Sequence, residues 1–165
     1  MSIYDVHASI TLSLTRYWRL SLLHACPCVS MRRIYTSCPV QGSMEWSTKN
    51  TYNGMWKGDK RHGKGTYVWS TSQDVYEGSW KNDKRNGPGL YTWNAPWSAG
   101  LTYQGGWKNS MKHGLGLFIW TNGNAYDGSW KEDMRTGAGV LVWKNGDKYD
   151  GMVSAGACGI IEEWQ

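Results

Sequence analysis

Four segments of this chain, Tyr52–Trp69, Tyr76–Trp93, Tyr103–Trp120 and Tyr126–Trp143, share one pattern: Y-x-G-x-W-K, five residues, then G-x-G-x-(Y/F/L)-x-W. The opening Tyr and closing Trp stand 17 positions apart every time, whereas successive starts are 24, 27 and 23 apart. A unit of fixed length with joins of variable length is the mark of a linear repeat array, in which each unit is one supersecondary element and insertions fall in the connections. Such a chain is a scaffold first, and any chemistry must be built on top of it.

The period within the unit is two. Tyr52, Gly54 and Trp56 share one face of a strand, and Gly63, Gly65, Tyr67 and Trp69 share a face on the return run. The other face mixes Asn53, Met55, Lys64, Thr66 and Val68. Alternation of this kind with aromatic and β-branched residues predicts two strands, hence a hairpin per unit. Nothing recurs at helical spacing. The composition fits: 12 Trp, 10 Tyr and 21 Gly against a single Phe in 165 residues mean that rings set on glycine supply the packing. Both glycines of each G-x-G, with Gly54, Gly78, Gly105 and Gly128, are expected to give the rings bare backbone to lie on. The joins contain Asn122-Gly123 and Asn145-Gly146, the preferred dipeptide of a type I′ turn. Consecutive hairpins are therefore expected to pair with each other. The fold class is all-β: an elongated antiparallel meander of consecutive hairpins in a single-layered twisted ribbon.

Residues 42–151 form this array. Gly42 and Trp46 precede Gly65 and Trp69 by 23 positions, so the array opens on the second strand of a degraded unit. Tyr149-Asp150-Gly151 begins another, with Val153 where Trp is due. Residues 1–41 read as a leader outside the repeat and 152–165 as a divergent tail. Residues 6–44, with four Arg, six serines and no acid, also suit a transit peptide, the less favoured reading. The cysteines, Cys26, Cys28, Cys38 and Cys158, lie outside the full units and lack the paired C-x2-C spacing of a structural zinc site. They are expected to be free thiols, with no metal and no cofactor. No run approaches the ~20 apolar residues of a membrane-spanning helix.

The unit resembles the MORN repeat, whose pattern is YEGEWKNGKRHGKGxYxWxxG. Tyr76-Glu77-Gly78-Ser79-Trp80-Lys81-Asn82 and Arg61-His62-Gly63-Lys64-Gly65-Thr66-Tyr67 carry the likeness, which spans residues 52–151 and half a unit before them. It implies successive hairpins in a ribbon and non-enzymatic work: assembly, self-association and tethering of protein partners in the cytoplasm, often at cilia, the cytoskeleton or membrane junctions. Phospholipid binding is a further implication. Such arrays also occur fused to signalling enzymes, so a fragment of a larger enzyme is a third reading.

No catalytic constellation emerges from the residues. Gly58–Gly65 imitates a phosphate loop, but Thr66-Tyr67-Val68-Trp69 follows as strand where a helix N-terminus is required. His62 and His113 lack a nucleophile or acid beside them and read as solvated turn residues. Two surfaces remain as candidate sites. One is basic: Lys57, Lys81, Lys108 and Lys131 follow the first-strand Trp, and Arg61, Arg85, Lys112 and Arg135 come four residues later, with Lys60 and Lys84 beside them. Stacking would place them in a double row along one edge, a surface for phospholipid headgroups or an acidic protein, or simply solvated turns. Asp59, Asp83, Glu132 and Asp133 partly cancel the charge, and nucleic acid fits poorly because the repeat already uses its rings for packing. The other surface is aromatic: Tyr52, Trp56, Trp69, Tyr76, Trp80, Trp93, Tyr103, Trp107, Trp120, Tyr126, Trp130 and Trp143. A single-layered sheet leaves this face without a second layer, so part of it should form a groove for a partner segment.

Overall fold

The alternation read from the sequence becomes ten antiparallel strands in one sheet. A computed structural model describes residues 38–153. The strands are β1 (Val40–Glu45), β2 (Thr51–Lys57), β3 (Lys60–Val68), β4 (Val75–Lys81), β5 (Lys84–Thr92), β6 (Thr102–Lys108), β7 (Met111–Ile119), β8 (Ala125–Lys131), β9 (Met134–Val142) and β10 (Lys148–Val153). Their order in space is their order in the chain, so hairpins pair within units and between them. Cys26, Cys28 and Cys158, and the expected leader and tail up to residue 37 and from 154, lie outside the described residues. Cys38 has a free thiol.

The sequence expectation about the turns changes. The two-residue turns with both residues at positive φ lie inside the units, at Gly58-Asp59, Asn82-Asp83, Asn109-Ser110 and Glu132-Asp133. In the two Asn-Gly joins only Gly123 (φ 90) and Gly146 (φ 95) are left-handed, and their N–H groups donate to the carbonyls of Trp120 and Trp143. Type I′ geometry needs both central residues at positive φ. The Asn-Gly joins are therefore longer loops that close on one left-handed glycine.

The glycines also divide. Gly54 pairs with Gly65, but Trp56 pairs with Arg61, so two extra residues bulge from β3 opposite Met55. The same shift recurs in each hairpin. Gly63 sits in that bulge at φ +67, where a Cβ would meet Met55 Cβ at 3.1 Å, on the face away from the rings. The first glycine of each G-x-G is thus a backbone device, which corrects its expected place under a ring. The second glycine is the bed. A Cβ on Gly65, Gly89, Gly116 or Gly139 would stand 2.6 Å from Cε2 of Tyr52, Tyr76, Tyr103 or Tyr126.

That bed makes the core a row and not a centre. Tyr52, Tyr76, Tyr103 and Tyr126 are the largest fully buried side chains. Each hydroxyl donates to the carbonyl three residues on, as Tyr52 does to Met55 at 3.0 Å and Tyr76 to Ser79 at 3.0 Å. Each first-strand Trp is buried and donates its indole N–H back to the preceding unit. Trp80 reaches Gly65 O at 3.0 Å and Trp130 reaches Gly116 O at 2.9 Å. Met44, Tyr67, Tyr91, Phe118 and Leu141 complete the buried row.

The tight turns join the units along one margin. Asp83 donates its N–H to Arg61 O at 3.1 Å, while Arg61 N–H donates to Asp83 Oδ1 at 2.9 Å. Ser110 and Arg85, and Asp133 and Lys112, repeat the exchange. Asp59 has no such partner among the described residues. Asp133→Ala is expected to lower unfolding free energy by about 1 kcal/mol more than Asp59→Ala. Both positions have positive φ, 68 and 59, so the backbone cost is shared. Urea denaturation of the two variants measures the difference, and equal losses would mean that the exchange contributes nothing.

Candidate functional site

The two basic rows expected along one edge separate. Lys57, Lys60, Lys81, Lys84, Lys108 and Lys131 are exposed around the tight turns. Lys57 lies directly opposite Lys60, and Lys81 opposite Lys84. The second row turns inward instead. Arg61, Arg85, Lys112 and Arg135 keep the parity of Gly65, Tyr67 and Trp69 in their strands, and the two-residue bulge preserves that parity. They therefore fold over the rings.

Each of these cations except the last covers a Trp of the following unit. The Arg61 guanidinium carbon is 4.4 Å from the Trp80 centroid and 5.0 Å from that of Tyr67. Arg85 is 4.2 Å from Trp107 and 5.1 Å from Tyr91, and Lys112 Nζ is 4.6 Å from Trp130 and 5.0 Å from Phe118. Arg135 lies 5.7 Å from Tyr126 and 5.6 Å from Trp120. A cation over an aromatic face is worth roughly 0.5–2 kcal/mol. The row expected as a free edge is in large part a fastening between units.

The aromatic face divides in the same way. Tyr52, Tyr76, Tyr103, Tyr126, Trp56, Trp80, Trp107 and Trp130 are buried and offer no surface to a partner. They cover one another edge to face: Tyr76 stands 5.1 Å from Trp80 at 90° and 5.5 Å from Trp107 at 85°. The closing tryptophans, Trp69, Trp93, Trp120 and Trp143, with Trp46 before them, are only half-buried. Trp46 leans on Tyr67 at 5.5 Å, Trp69 on Tyr91 at 5.2 Å and Trp93 on Phe118 at 5.7 Å. Beside this row lie the ring-face cations, so each rung presents one indole edge and one positive charge.

Ionisation follows burial. The phenols of Tyr52 and Tyr103 are pushed up to about 12, and those of Tyr76 and Tyr91 also rise, all chiefly by burial. Burial lowers Arg85 and Lys112 from their ordinary values. An ordinary phenol ionises near 10. As pH rises the unfolded chain releases these protons before the folded one does. Stability is therefore full below about pH 10 and falls between about 10 and 12. Urea midpoints taken across that window should decline, with the tyrosinate absorbance of these four phenols appearing only as structure is lost. Full tyrosinate formation near pH 10 in the folded chain would contradict this.

Three features escaped the sequence reading. His62 and His113 lie in strands, not solvated turns, with Nδ1 buried and without a hydrogen-bond partner. Asp74 is buried in a join, accepting from Tyr91 Oη at 3.2 Å and from Asn94 N–H at 2.7 Å. It holds the long third join, whose Trp97 is 85% exposed. Asn50 and Asn124 cap their neighbouring joins through Ser70 N–H and Lys144 N–H, a recurrence that could have marked Asp74.

Among the described residues no group of His, Cys, Asp or Glu is arranged to hold a metal. A comparison with curated proteins returns no match. The pattern of one protein family, described as MORN repeat, matches residues 52–73, 76–94, 103–125 and 126–148. Those stretches begin on the opening Tyr of each hairpin and cover more than half of the sequence. The glycine-bedded tyrosines, the indole links and the hairpin meander are thus the physical form of that pattern, and this chain belongs to the MORN repeat family.

Proposed function

We propose that this chain is a non-catalytic scaffold whose repeat array holds a segment of another protein along its half-exposed tryptophan row. One observation carries the reading. The ring face buries eight of its twelve expected aromatics and leaves one indole per unit accessible, at a constant position and beside a cation. Aromatic side chains and Arg dominate the energetics of protein interfaces because they bury much area with little loss of rotamer freedom. Family membership supports the same reading, since these repeats serve as binding modules that are generally without catalysis.

The test compares affinity capture by the parent chain, by Trp93→Ser with Trp120→Ser, and by Leu115→Ser. Leu115 is 74% exposed on the opposite face. Co-purifying proteins should be lost only with the tryptophan pair, in protein shown to be folded by circular dichroism. Retention of the same partners by that variant would overturn the reading.

A second reading rests on the exposed lysines. Like charges set directly opposite across a hairpin destabilise it, so the Lys57–Lys60 and Lys81–Lys84 pairs are not explained by stability. Near an anionic surface each contributes about 1 kcal/mol. Flotation with vesicles containing phosphatidylserine should then decline when all four are changed to Ser. Undiminished flotation would remove this reading.

A further inference from the structure

Arg85, Lys112 and Arg135 are half-buried on the ring face, and none has a carboxylate within ion-pair distance among the described residues. Arg61 differs, since its Nε donates to Asp83 Oδ1 at 3.1 Å. Burial disfavours a charge that lacks a counter-ion, and the rings supply only part of the compensation. Ser110 O accepts one bond from Arg85, at 2.8 Å, while Lys112 Nζ and Arg135 donate none among the described residues. Three rungs in succession thus present a positive charge without an ion pair beside an accessible indole; the Asp133 carboxylate, held on the Lys112 backbone N–H at 2.9 Å, acts on Lys112 and Arg85 only at longer range.

The spacing of these rungs selects a ligand. Arg85, Lys112 and Arg135 occupy β5, β7 and β9, two strands apart each time. At about 4.8 Å per strand the step is roughly 10 Å. A polyproline II segment rises about 3.1 Å per residue with three residues per turn, so every third side chain falls on one face about 9 Å apart, whereas a β-extended segment would turn alternate members of that set away. We propose that the tryptophan row takes an acidic segment in the polyproline II conformation laid across the strands, with Asp or Glu at every third position. Its carboxylates meet Arg85, Lys112 and Arg135 in turn, and the residues between them rest on Trp69, Trp93 and Trp120. This rests on the protein-binding reading above and names the partner's chemistry.

The probes are two synthetic peptides of about ten residues and equal composition, with Asp at every third position or Asp grouped at one end, the remainder Ala and Pro. Binding is read from tryptophan fluorescence at low and physiological salt. The periodic peptide should bind at least about tenfold more tightly than the grouped one, and lose that advantage with Lys112→Gln but keep it with the exposed-edge change Lys81→Ser. Lys112→Met, which keeps an apolar chain over Phe118 and Trp130, guards against a loss that reflects unfolding. Equal affinities for the two peptides would overturn the rung match. So would weak binding of both, and if captured partners still depended on Trp93 and Trp120 the protein-binding reading would stand without it.

Discussion

Gly116→Val is expected to destabilise this protein by at least about 2–3 kcal/mol, although it raises strand propensity. The new side chain would enter the space of Tyr103, whose Cε2 and Cζ lie 2.6 Å from the Cβ position. Tyr103 has no room to withdraw. It is fully buried, its hydroxyl donates to Gly106 O at 3.0 Å, and Trp107 and Trp130 stand against it at 5.1 and 5.4 Å. Leu115→Val, on the exposed opposite face, should stay within about 0.5 kcal/mol of the parent. Gly114→Ala isolates the other role of the G-x-G pair. No atom lies within 4 Å of its Cβ position, but its φ is +76, so only backbone strain of about 1–2 kcal/mol is expected. Thermal melts of the three variants rank these effects. A Gly116→Val protein that melts at or above the parent temperature would remove the ring-on-glycine account.

The second large effect lies in the links between units. Trp107→Ala should cost about 3–5 kcal/mol. Its indole is buried between Tyr76 and Tyr103, lies under Arg85 and donates to Gly89 O at 3.3 Å. The loss should therefore loosen the hairpins on both sides. Trp46→Ala removes a half-buried ring that touches Tyr67 and Arg61 at the first strand, and should cost less than half as much. In a linear array stability approximates a sum of unit and interface terms, so position along the array matters. Equal losses from the two would indicate one shared core.

Much of this was legible in the residues. The invariant distance from opening Tyr to closing Trp gave the hairpin, and the period of two put Tyr52, Gly54, Trp56, Gly65 and Tyr67 on one face. The positions of the turns were harder to read. Gly58-Asp59, Asn109-Ser110 and Glu132-Asp133 share no dipeptide, whereas the Asn-Gly pairs in two joins carry a strong signal for a geometry they do not adopt. The bulge was invisible because two inserted residues leave the alternation intact. For that same reason Arg61 and its counterparts could have been placed on the ring face, since their parity matches Tyr67, yet their position near a turn suggested an exposed edge. Which rings stay accessible depends on the neighbouring unit. Trp80 is covered by Tyr52 and Arg61 of the unit before it, a relation that no single repeat contains.

The division of the tryptophans is the central claim, and fluorine NMR of fluorotryptophan-labelled protein tests it most directly. With a soluble paramagnetic agent present, Trp56, Trp80, Trp107 and Trp130 should keep sharp signals, because they are at most 7% exposed. Trp46, Trp69, Trp93, Trp120 and Trp143 should broaden partially, and Trp97 most among the described tryptophans. Broadening of the first set to the same extent as the closing set would contradict a face split between buried fastenings and an accessible binding row.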